Sequence, residues 1–448
     1  MTYKDKKVLV CGMGLSGVAA ARLLLAHGAA VTLCDLKEEP EVCADLLAHP
    51  LISTYFGKNP DEILGEFDLM VLSPGIATDL PFVTQARARG LPIFGEVELA
   101  SRHCNAPIMG ITGTNGKTTV CSLAGDIMRL AAPGSAVAGN IGVAFCGLAP
   151  EMPVGAWVVA EVSSFQLETI VDFRPKISAV LNMTPDHLNR HKTMEAYIAA
   201  KERIFENQEN SDFCVLNYDN QHSRAMAAKT RAKVVFFSNS PLEEGVFVQN
   251  GAIWLKWQDF DGELIKLEDI PIPGSHNVEN VMAAAALCAV AGAPPALIAR
   301  GIREFKAVEH RLEFVAEIAG VAYYNDSKAT NVDSAIKGVT ALNRPIVLIG
   351  GGQDKAADFG EFVKVFPGRV KAFIVLGETA EQLIETCRAH NFSDFERANT
   401  LKDAVELAAA RAVAGDAVLL SPACAALDMF DNYEQRGWVF KNFVNELK

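Results

Sequence analysis

The chain has 10 cysteines in 448 residues, yet no Cys-x-x-Cys pair and no His/Cys cluster. The ligand spacing of a structural zinc site is therefore missing. Several cysteines (Cys11, Cys34, Cys121, Cys288) sit in apolar runs, where they read as small core residues of a reduced, cytosolic protein. Positive charge is also short: 41 Lys and Arg face 54 Asp and Glu, a net charge of -13. A nucleic-acid-binding surface needs a basic face, so no nucleic-acid partner is expected. Small anionic ligands are not excluded, because a local site can be positive on an acidic protein. No fixed-period repeat and no low-complexity linker appears. Long hydrophobic runs are limited to one uncharged stretch, Val281 to Ala299, which is mostly alanine and carries Gly292, Pro294 and Pro295. It reads as a buried helix of about three turns, so no membrane span is expected. Lys4, Lys6 and Lys7 precede apolar residues as in a signal peptide, but Gly12, Gly14, Gly17 and Arg22 interrupt the run, which reads as strand, turn and helix.

Hydrophobic residues are 50% of the chain and charged residues 21%, ample for packed cores. The length suggests about three domains. Residues 1–95 read as parallel α/β: a strand at Lys7–Gly12, a helix from Gly17 to His27, and strands at Ala30–Asp35 and Phe67–Ser73. Residues 96–306 carry apolar strands at Ala106–Met109, Ala156–Glu161 and Ile177–Asn182. Residues 307–448 carry four more, at Val321–Asp326, Pro345–Gly350, Ala372–Gly377 and Ala417–Ser421. Near-continuous apolar strands between helical stretches imply sheets covered on both faces. The expected fold is three consecutive doubly wound α/β domains, Rossmann-like, P-loop and Rossmann-like.

The most informative segment is Gly110-Ile-Thr-Gly113-Thr114-Asn115-Gly116-Lys117-Thr118-Thr119. An apolar strand, a glycine turn and a helix start gather backbone N–H groups around one point, an arrangement that binds phosphate. Lys117 is placed to reach the outer phosphates of ATP and the Thr118 hydroxyl to ligate Mg²⁺. The usual first glycine of a P-loop is Ile111 here, so this is the shorter Gly-Thr-Asn-Gly-Lys-Thr form.

Gly12-Met-Gly14-Leu15-Ser16-Gly17 follows the first strand and Asp35 closes the second, a dinucleotide fingerprint taken locally. Any nucleotide diphosphate satisfies the same physics, and a ligand-free tight turn is the bland reading. Glu161 ends a strand opposite the P-loop, where a carboxylate can complete a Mg²⁺ shell, while Ser163 or Ser164 can cap the next helix. Asn182 to His191 packs Asp186, His187 and His191 beyond the phosphate site, and His187 is the candidate for a metal or phosphate role. Lys201, in Tyr197-Ile-Ala-Ala-Lys-Glu-Arg-Ile-Phe, reads from its spacing as a solvated surface lysine. Gly274-Ser-His276-Asn277-Val-Glu-Asn280 precedes the alanine-rich helix, with Asn277 either capping it or facing an adenine edge. In the third unit Tyr324-Asn-Asp326-Ser-Lys328-Ala-Thr330-Asn331 and Gly350-Gly-Gly-Gln-Asp354-Lys355 place lysines at strand ends, suited to an anionic substrate or to plain loops.

Taken together these motifs resemble the Mur ligase family of ATP-dependent amide ligases over nearly the whole chain. Glu161-Val-Ser-Ser-Phe-Gln-Leu-Glu, His276-Asn277, Glu309-His-Arg311 and Asn325-Asp-Ser-Lys-Ala-Thr-Asn carry the likeness alongside the P-loop, and Ser421 to Gly437 resembles the D-glutamate-adding branch. The resemblance implies ATP-driven addition of D-glutamate to UDP-N-acetylmuramoyl-L-alanine in cytoplasmic peptidoglycan precursor synthesis, by a monomer. It implies a UDP-substrate site of Leu15, Ser16, Gly17, Asp35, Leu36, Lys37, Ser73, Gly75, Asn140, Ser163 and His187. ATP is then expected on residues 113–119 with Asn280, Arg311 and Asp326. D-glutamate is expected on Lys328, Thr330, Lys355, Ala426, Leu427 and Tyr433. Lys117, Glu161, His187 and Lys201 become the catalytic set. Two Mg²⁺ ions are implied on Thr118, Glu161, His187 and a carbamate on Lys201, reversing the surface reading of that lysine. The chain departs from the family at Leu36-Lys37, where Thr-Arg is expected, at Ala426, where serine is expected, and at Tyr433, where phenylalanine is expected.

Overall fold

The computed structural model describes residues 3–42, 44–306, 308–353 and 357–448, and of Asn189 only the backbone. The chain forms two compact units, Met1–Leu267 with Asn280–Arg303, and Glu268–Glu279 with Glu304–Lys448.

The first unit holds two sheets. The N-terminal one comprises β1 (Lys7–Cys11), β2 (Ala30–Asp35), β3 (Ile52–Phe56), β4 (Leu69–Leu72) and β5 (Ile93–Gly95), all parallel in the order β3-β2-β1-β4-β5. The strand order reverses at β1, so a crevice opens beyond the carboxyl ends of β1 and β4, the position where open α/β sheets take ligands. The second sheet comprises β6 (Ile108–Thr112), β7 (Ala136–Gly139), β8 (Val158–Glu161), β9 (Ile177–Val180), β10 (Phe213–Asn217), β11 (Lys233–Ser238), β12 (Gly245–Gln249), β13 (Ala252–Trp257) and β14 (Phe260–Lys266). Its order is β14-β13-β12-β11-β10-β9-β6-β8-β7.

This middle sheet is parallel from β7 to β12, but β12, β13 and β14 are an antiparallel meander. The sequence reading had strands at the positions of β6, β8 and β9 and none at the meander. A local signal was present there: Asn250 (φ +50°) and Gly251 (φ +76°) form the β12–β13 turn, and Asn-Gly is the strongest short hairpin cue because both residues tolerate positive φ. One continuous apolar core joins the two sheets of this unit, running from Ala20, Ala21 and Leu24 through Val97 to Phe145 and Val158. That shared core sets the N-terminal crevice in register with the loop after β6.

The second unit holds β15 (Glu313–Ile318), β16 (Val321–Asn325), β17 (Ile346–Gly350), β18 (Val370–Val375), β19 (Phe395–Arg397) and β20 (Ala417–Leu420), in the order β15-β16-β20-β17-β18-β19. Only the β15–β16 hairpin is antiparallel. Separate apolar clusters cover the two faces, one built on Leu348, Phe362 and Phe373 and the other on Val347, Ile374 and Phe440. That is the doubly wound arrangement expected from alternating apolar strands and helices.

The alanine-rich segment is a helix of 16 residues, Ser275–Val290, longer than the expected three turns. It starts in the polar Ser275-His276-Asn277 turn and stops before Gly292, whose φ of +88° favours glycine. Asn277 lies inside its first turn and donates to Pro273 O at 2.6 Å, so it is not the cap. Among the described residues no helix is long and apolar enough to cross a membrane.

Candidate active site

The loop after β6 is braced before any ligand arrives. Thr114 N donates to Asn182 O at 2.9 Å, Asn115 N to Asn182 Oδ1 at 2.9 Å, and Asn182 Nδ2 back to Asn115 O at 3.0 Å. Thr114 Oγ1 donates to Thr184 O at 3.0 Å. These bonds tie the loop to the chain leaving β9. Gly116 has φ +86°, and a Cβ there would lie 2.2 Å from Asn280 Oδ1, so the position needs glycine for both reasons. The helix Lys117–Ala131 starts immediately after it and turns its free N–H groups toward the loop. Lys117 Nζ donates to Gly113 O at 2.9 Å and Thr114 O at 2.7 Å, curled over the turn it follows.

Around this turn stands a set of polar groups, of which Thr118 and Glu161 are buried. Thr118 Oγ1 donates to Glu161 Oε2 at 2.9 Å, and Asn140 Nδ2 donates to Glu161 Oε1 at 2.9 Å. Ser163 and Gln166 form a capping box on the short helix Ser164–Leu167, which follows Glu161 closely. Thus Ser163 caps, as the local reading allowed, and also lines the cavity described next.

Lys201 overturns its local reading as a solvated side chain: it is 1% exposed. It sits on the helix Met194–Glu202, capped by Thr193, and donates to Gly113 O at 2.8 Å and Thr112 Oγ1 at 3.2 Å. Only Tyr197 and Lys201 of that helix are buried, one turn apart. A buried face two residues wide leaves almost no periodic signal. Burial, and then the charge of Lys117, hold the Lys201 amine well below the usual lysine range.

A cavity of about 330 Å³ collects Lys117, Asn140, Ser163, His187, Lys201 and Gly75 from the expected set. Its remaining walls include Tyr197, Asp186 and Phe165, which the sequence reading left without a role. His187 has φ +54° and packs its ring against Phe165 at 4.9 Å. Its Nε2 lies 3.7 Å from Asp186 Oδ2. His191, by contrast, is buried between Ser164 Oγ (2.9 Å) and Glu168 Oε1 (3.7 Å), and burial holds its imidazole below the usual range. It supports the wall without lining it.

A second cavity of about 330 Å³ opens at the N-terminal switch point, against Gly12, Asp35, Leu36 and Gly75. Cys11, Cys34, Lys58 and Phe82 complete much of it, none of them singled out from sequence as ligand contacts. Asp35 Oδ2 accepts from Met13 N at 2.7 Å and Oδ1 from Lys37 N at 3.0 Å, which pins the glycine turn. Ser73 Oγ donates to Gly12 O at 2.9 Å. A Cβ on Gly17 would lie 1.9 Å from Gly12 O, so the helix start can approach the turn only with glycine there. Leu36, in the lining, is 67% exposed, and Leu15, at the start of the following helix, is 86% exposed. Ser16 lies beside Leu15 in the first turn of the helix Leu15–Ala26.

The second unit gathers the other expected group. Lys328 Nζ donates to Tyr433 OH at 2.9 Å and lies 4.8 Å from its ring centre. Thr330 N donates to Lys328 O at 2.9 Å, holding this turn compact. Ala426 is buried and Leu427 is 61% exposed. Asp326 accepts from Ser421 Oγ at 2.8 Å and Leu312 N at 3.1 Å, and burial pushes its carboxyl up to about 6, with Arg311 opposing. Lys355 and Asp354 lie outside the described residues. Asn280 belongs to the first unit, Arg311 and Asp326 to the second.

Sequence reasoning gave no role to the residue that organises this second group. Arg436 is 2% exposed and donates to Ser327 Oγ (3.0 Å), Ser327 O (2.8 Å), Ala425 O (3.2 Å) and Cys424 O (3.2 Å). It joins the turn after β16 to the loop after β20.

Comparison with known proteins agrees along the whole length. Three family models match: "Mur ligase MurD-like, N-terminal domain" over residues 6–95, "Mur ligase middle domain" over 111–288, and "Mur ligase, glutamate ligase domain" over 310–424. The chain is 46% identical to the UDP-N-acetylmuramoylalanine–D-glutamate ligase of Alkaliphilus metalliredigens and 47% identical to that of Alkaliphilus oremlandii, each covering 100% of both chains. Among solved structures, the UDP-N-acetylmuramate–alanine ligase of Thermotoga maritima superposes with a TM-score of 0.63 at 18% identity, over 99% of this chain and 100% of the other.

Proposed function

The chain belongs to the Mur ligase family, and from that premise we propose that it joins D-glutamate to UDP-N-acetylmuramoyl-L-alanine at the expense of ATP. The observation that supports the site assignment most is the cavity in which Lys117 of the phosphate loop faces Asn140, His187 and the buried Lys201. Residues 1–95 take the UDP moiety, 96–306 take ATP, and 307–448 take D-glutamate. A cytoplasmic monomer is part of the same proposal. Its cytoplasmic part is supported by the nine described cysteines, none of which is in a disulfide and all of which but Cys104 are buried.

The chemistry needs activation, because a carboxylate is a poor electrophile. The L-alanyl carboxylate attacks the γ-phosphorus of ATP, releasing ADP and forming an acyl phosphate. The D-glutamate amine attacks that carbonyl, and inorganic phosphate leaves. The loop N–H groups and Lys117 hold the phosphates, and Lys117 offsets charge as the phosphoryl group moves. Asn140, itself held by Glu161, and His187 position the acceptor side.

Mg²⁺ fits the donors by type: the Thr118 hydroxyl and Glu161 carboxylate already stand 2.9 Å apart, and hard cations prefer oxygen. When bound, two Mg²⁺ ions on Thr118, Glu161, His187 and carbamoylated Lys201 neutralise the phosphate charge. The lysine's environment supports the carbamate. Burial disfavours the protonated amine, and an amine that attacks CO₂ and loses one proton would become an anionic oxygen donor. Lys328, Thr330, Lys355, Ala426, Leu427 and Tyr433 receive D-glutamate, with Arg436 joining the turn at Ser327 to the loop at Cys424 and Ala425.

The decisive experiment is mass spectrometry of products after incubation with ATP, Mg²⁺, UDP-N-acetylmuramoyl-L-alanine and D-glutamate. A D-glutamyl-extended nucleotide with one ADP per product is expected. ADP release independent of both acceptors, or extension with L-glutamate or diaminopimelate in place of D-glutamate, overturns the assignment.

A further inference from the structure

The two cavities of the first unit share one wall, the segment 73–78. Pro74 and Gly75 line the cavity at the phosphate loop, while Gly75, Ile76 and Ala77 line the cavity at the N-terminal switch point. Whatever sets the position of this segment therefore sets how a molecule held in one cavity reaches into the other. On the N-terminal side it is held by Ser73 N donating to Cys11 O at 3.0 Å and Ser73 Oγ donating to Gly12 O at 2.9 Å.

Arg87 Nη1 donates to Thr78 O at 3.3 Å, and the side facing Phe165 is held by a second guanidinium. Arg190 Nη1 donates to Pro74 O at 2.9 Å and Nη2 to Ile76 O at 3.2 Å. The same Nη2 donates to Glu168 Oε2 at 2.7 Å, and Glu168 Oε2 also accepts from Thr78 Oγ1 at 3.1 Å. The guanidinium lies 4.1 Å from the Phe165 ring centre, and Phe165 in turn packs on the His187 ring. Arg190 sits on the one-turn helix Leu188–His191, with its own N–H bonded to His187 O at 3.0 Å. So the side chain that grips the shared wall is rooted beside a residue of the reactive cavity. A planar fork with several donors in fixed directions holds two carbonyls and a carboxylate at once. An ammonium on a flexible stem does not.

Resting on the ligase reading above, we propose that Arg190 is a positioning residue that sets the reach of the nucleotide-sugar's acyl end to the phosphate loop. It touches no reacting atom. Its work is to fix the 73–78 wall against Phe165 and His187, so that a substrate anchored at Asp35 and Gly12 delivers its carboxylate at one place. Attack on phosphorus needs that placement, since a displacement of about 1 Å costs on the order of a hundredfold in rate.

The test compares steady-state kinetics and thermal melting of wild type, Arg190→Ala, Arg190→Lys and Thr78→Val. Wild type is assayed first: no ADP release dependent on the nucleotide-sugar defeats the ligase reading itself, independently of Arg190. With an active wild type, Arg190→Ala is expected to lose about thirty- to a hundredfold in kcat and to raise KM for the nucleotide-sugar, with KM for ATP within about threefold. Arg190→Lys restores only part of the loss. Thr78→Val, which leaves the arginine in place and covers the case of a poorly folding alanine variant, shifts the same two parameters in the same direction by less. The proposal is overturned by a kcat and nucleotide-sugar KM within twofold of wild type in Arg190→Ala. It is equally overturned by losses that move all three substrates' KM values together and track the melting temperature, which is what a fastening role alone produces.

Discussion

Lys201 Nζ lies 2.8 Å from the carbonyl oxygen of Gly113, so a lysine nearly 90 residues downstream closes the underside of the phosphate loop. The pair explains why a residue with the local pattern of a surface lysine is buried. It fills a polar niche made by the loop backbone and Thr112, and burial disfavours its charged form.

Lys201→Arg tests what that niche is for. A guanidinium stays protonated and cannot form a carbamate, so turnover is expected to fall at least a hundredfold, about 3 kcal/mol of transition-state stabilisation. Wild type stripped of bicarbonate should lose rate and regain it on adding CO₂. Full activity of the arginine variant in bicarbonate-free buffer sinks the carbamate.

Lys117→Ala separates catalysis from folding. The ammonium bonds carbonyls of its own loop, where water can replace it. The expectation is a loss of about a hundredfold in kcat with a melting temperature shifted by no more than a few degrees. Wild-type turnover removes the phosphate-loop assignment.

Glu96 carries a pH dependence unrelated to the proposed chemistry. It is buried, accepts from Cys146 N at 2.6 Å, and has Oε2 without a partner; burial pushes its carboxyl up to about 7. A folded-state pKa raised above the unfolded value means the folded state holds the proton longer. Its contribution is therefore complete below about pH 4.5 and is lost as pH rises to about 7. The shift corresponds to about 3 kcal/mol at most. Glu96→Gln should flatten that part of the stability profile, measured as melting temperature from pH 4.5 to 8. A parallel profile in the variant contradicts the burial argument.

Arg436→Met leaves four acceptors around residues 327 and 424–425 without their donor. Leaving buried acceptors without their donor costs on the order of 3 kcal/mol. The variant should melt earlier and show a raised KM for D-glutamate with little change for ATP. A KM for D-glutamate equal to wild type separates this arginine from the substrate loop.

Legibility followed the range of the interaction. The glycine turns at Gly12–Gly17 and Gly113–Gly116 were readable because a turn's φ requirement falls on the residue that bears it. The parallel strands β1, β2, β4, β6, β8, β9, β16, β17, β18 and β20 were readable because burial on both faces writes itself as an apolar run. The β12–β14 meander was overlooked for want of weight on Asn250-Gly251, although that signal is local. Asp35 was legible as the acid that ends β2, but not its bonds to Met13 N and Lys37 N, which depend on how the glycine turn lies beside it.

The amino-acid order alone determined that this chain builds covered α/β sheets, where the phosphate loop lies, and, through the likeness of its motifs, the family to which it belongs. Tertiary structure alone decided that Lys201 is buried, that Arg436 binds two distant loops, and that Arg190 grips the wall common to two cavities. Periodicity reports only what a residue's own helix or strand does with its neighbours. Which side chain meets a backbone carbonyl a hundred positions away is settled by how elements pack, and no local pattern encodes that.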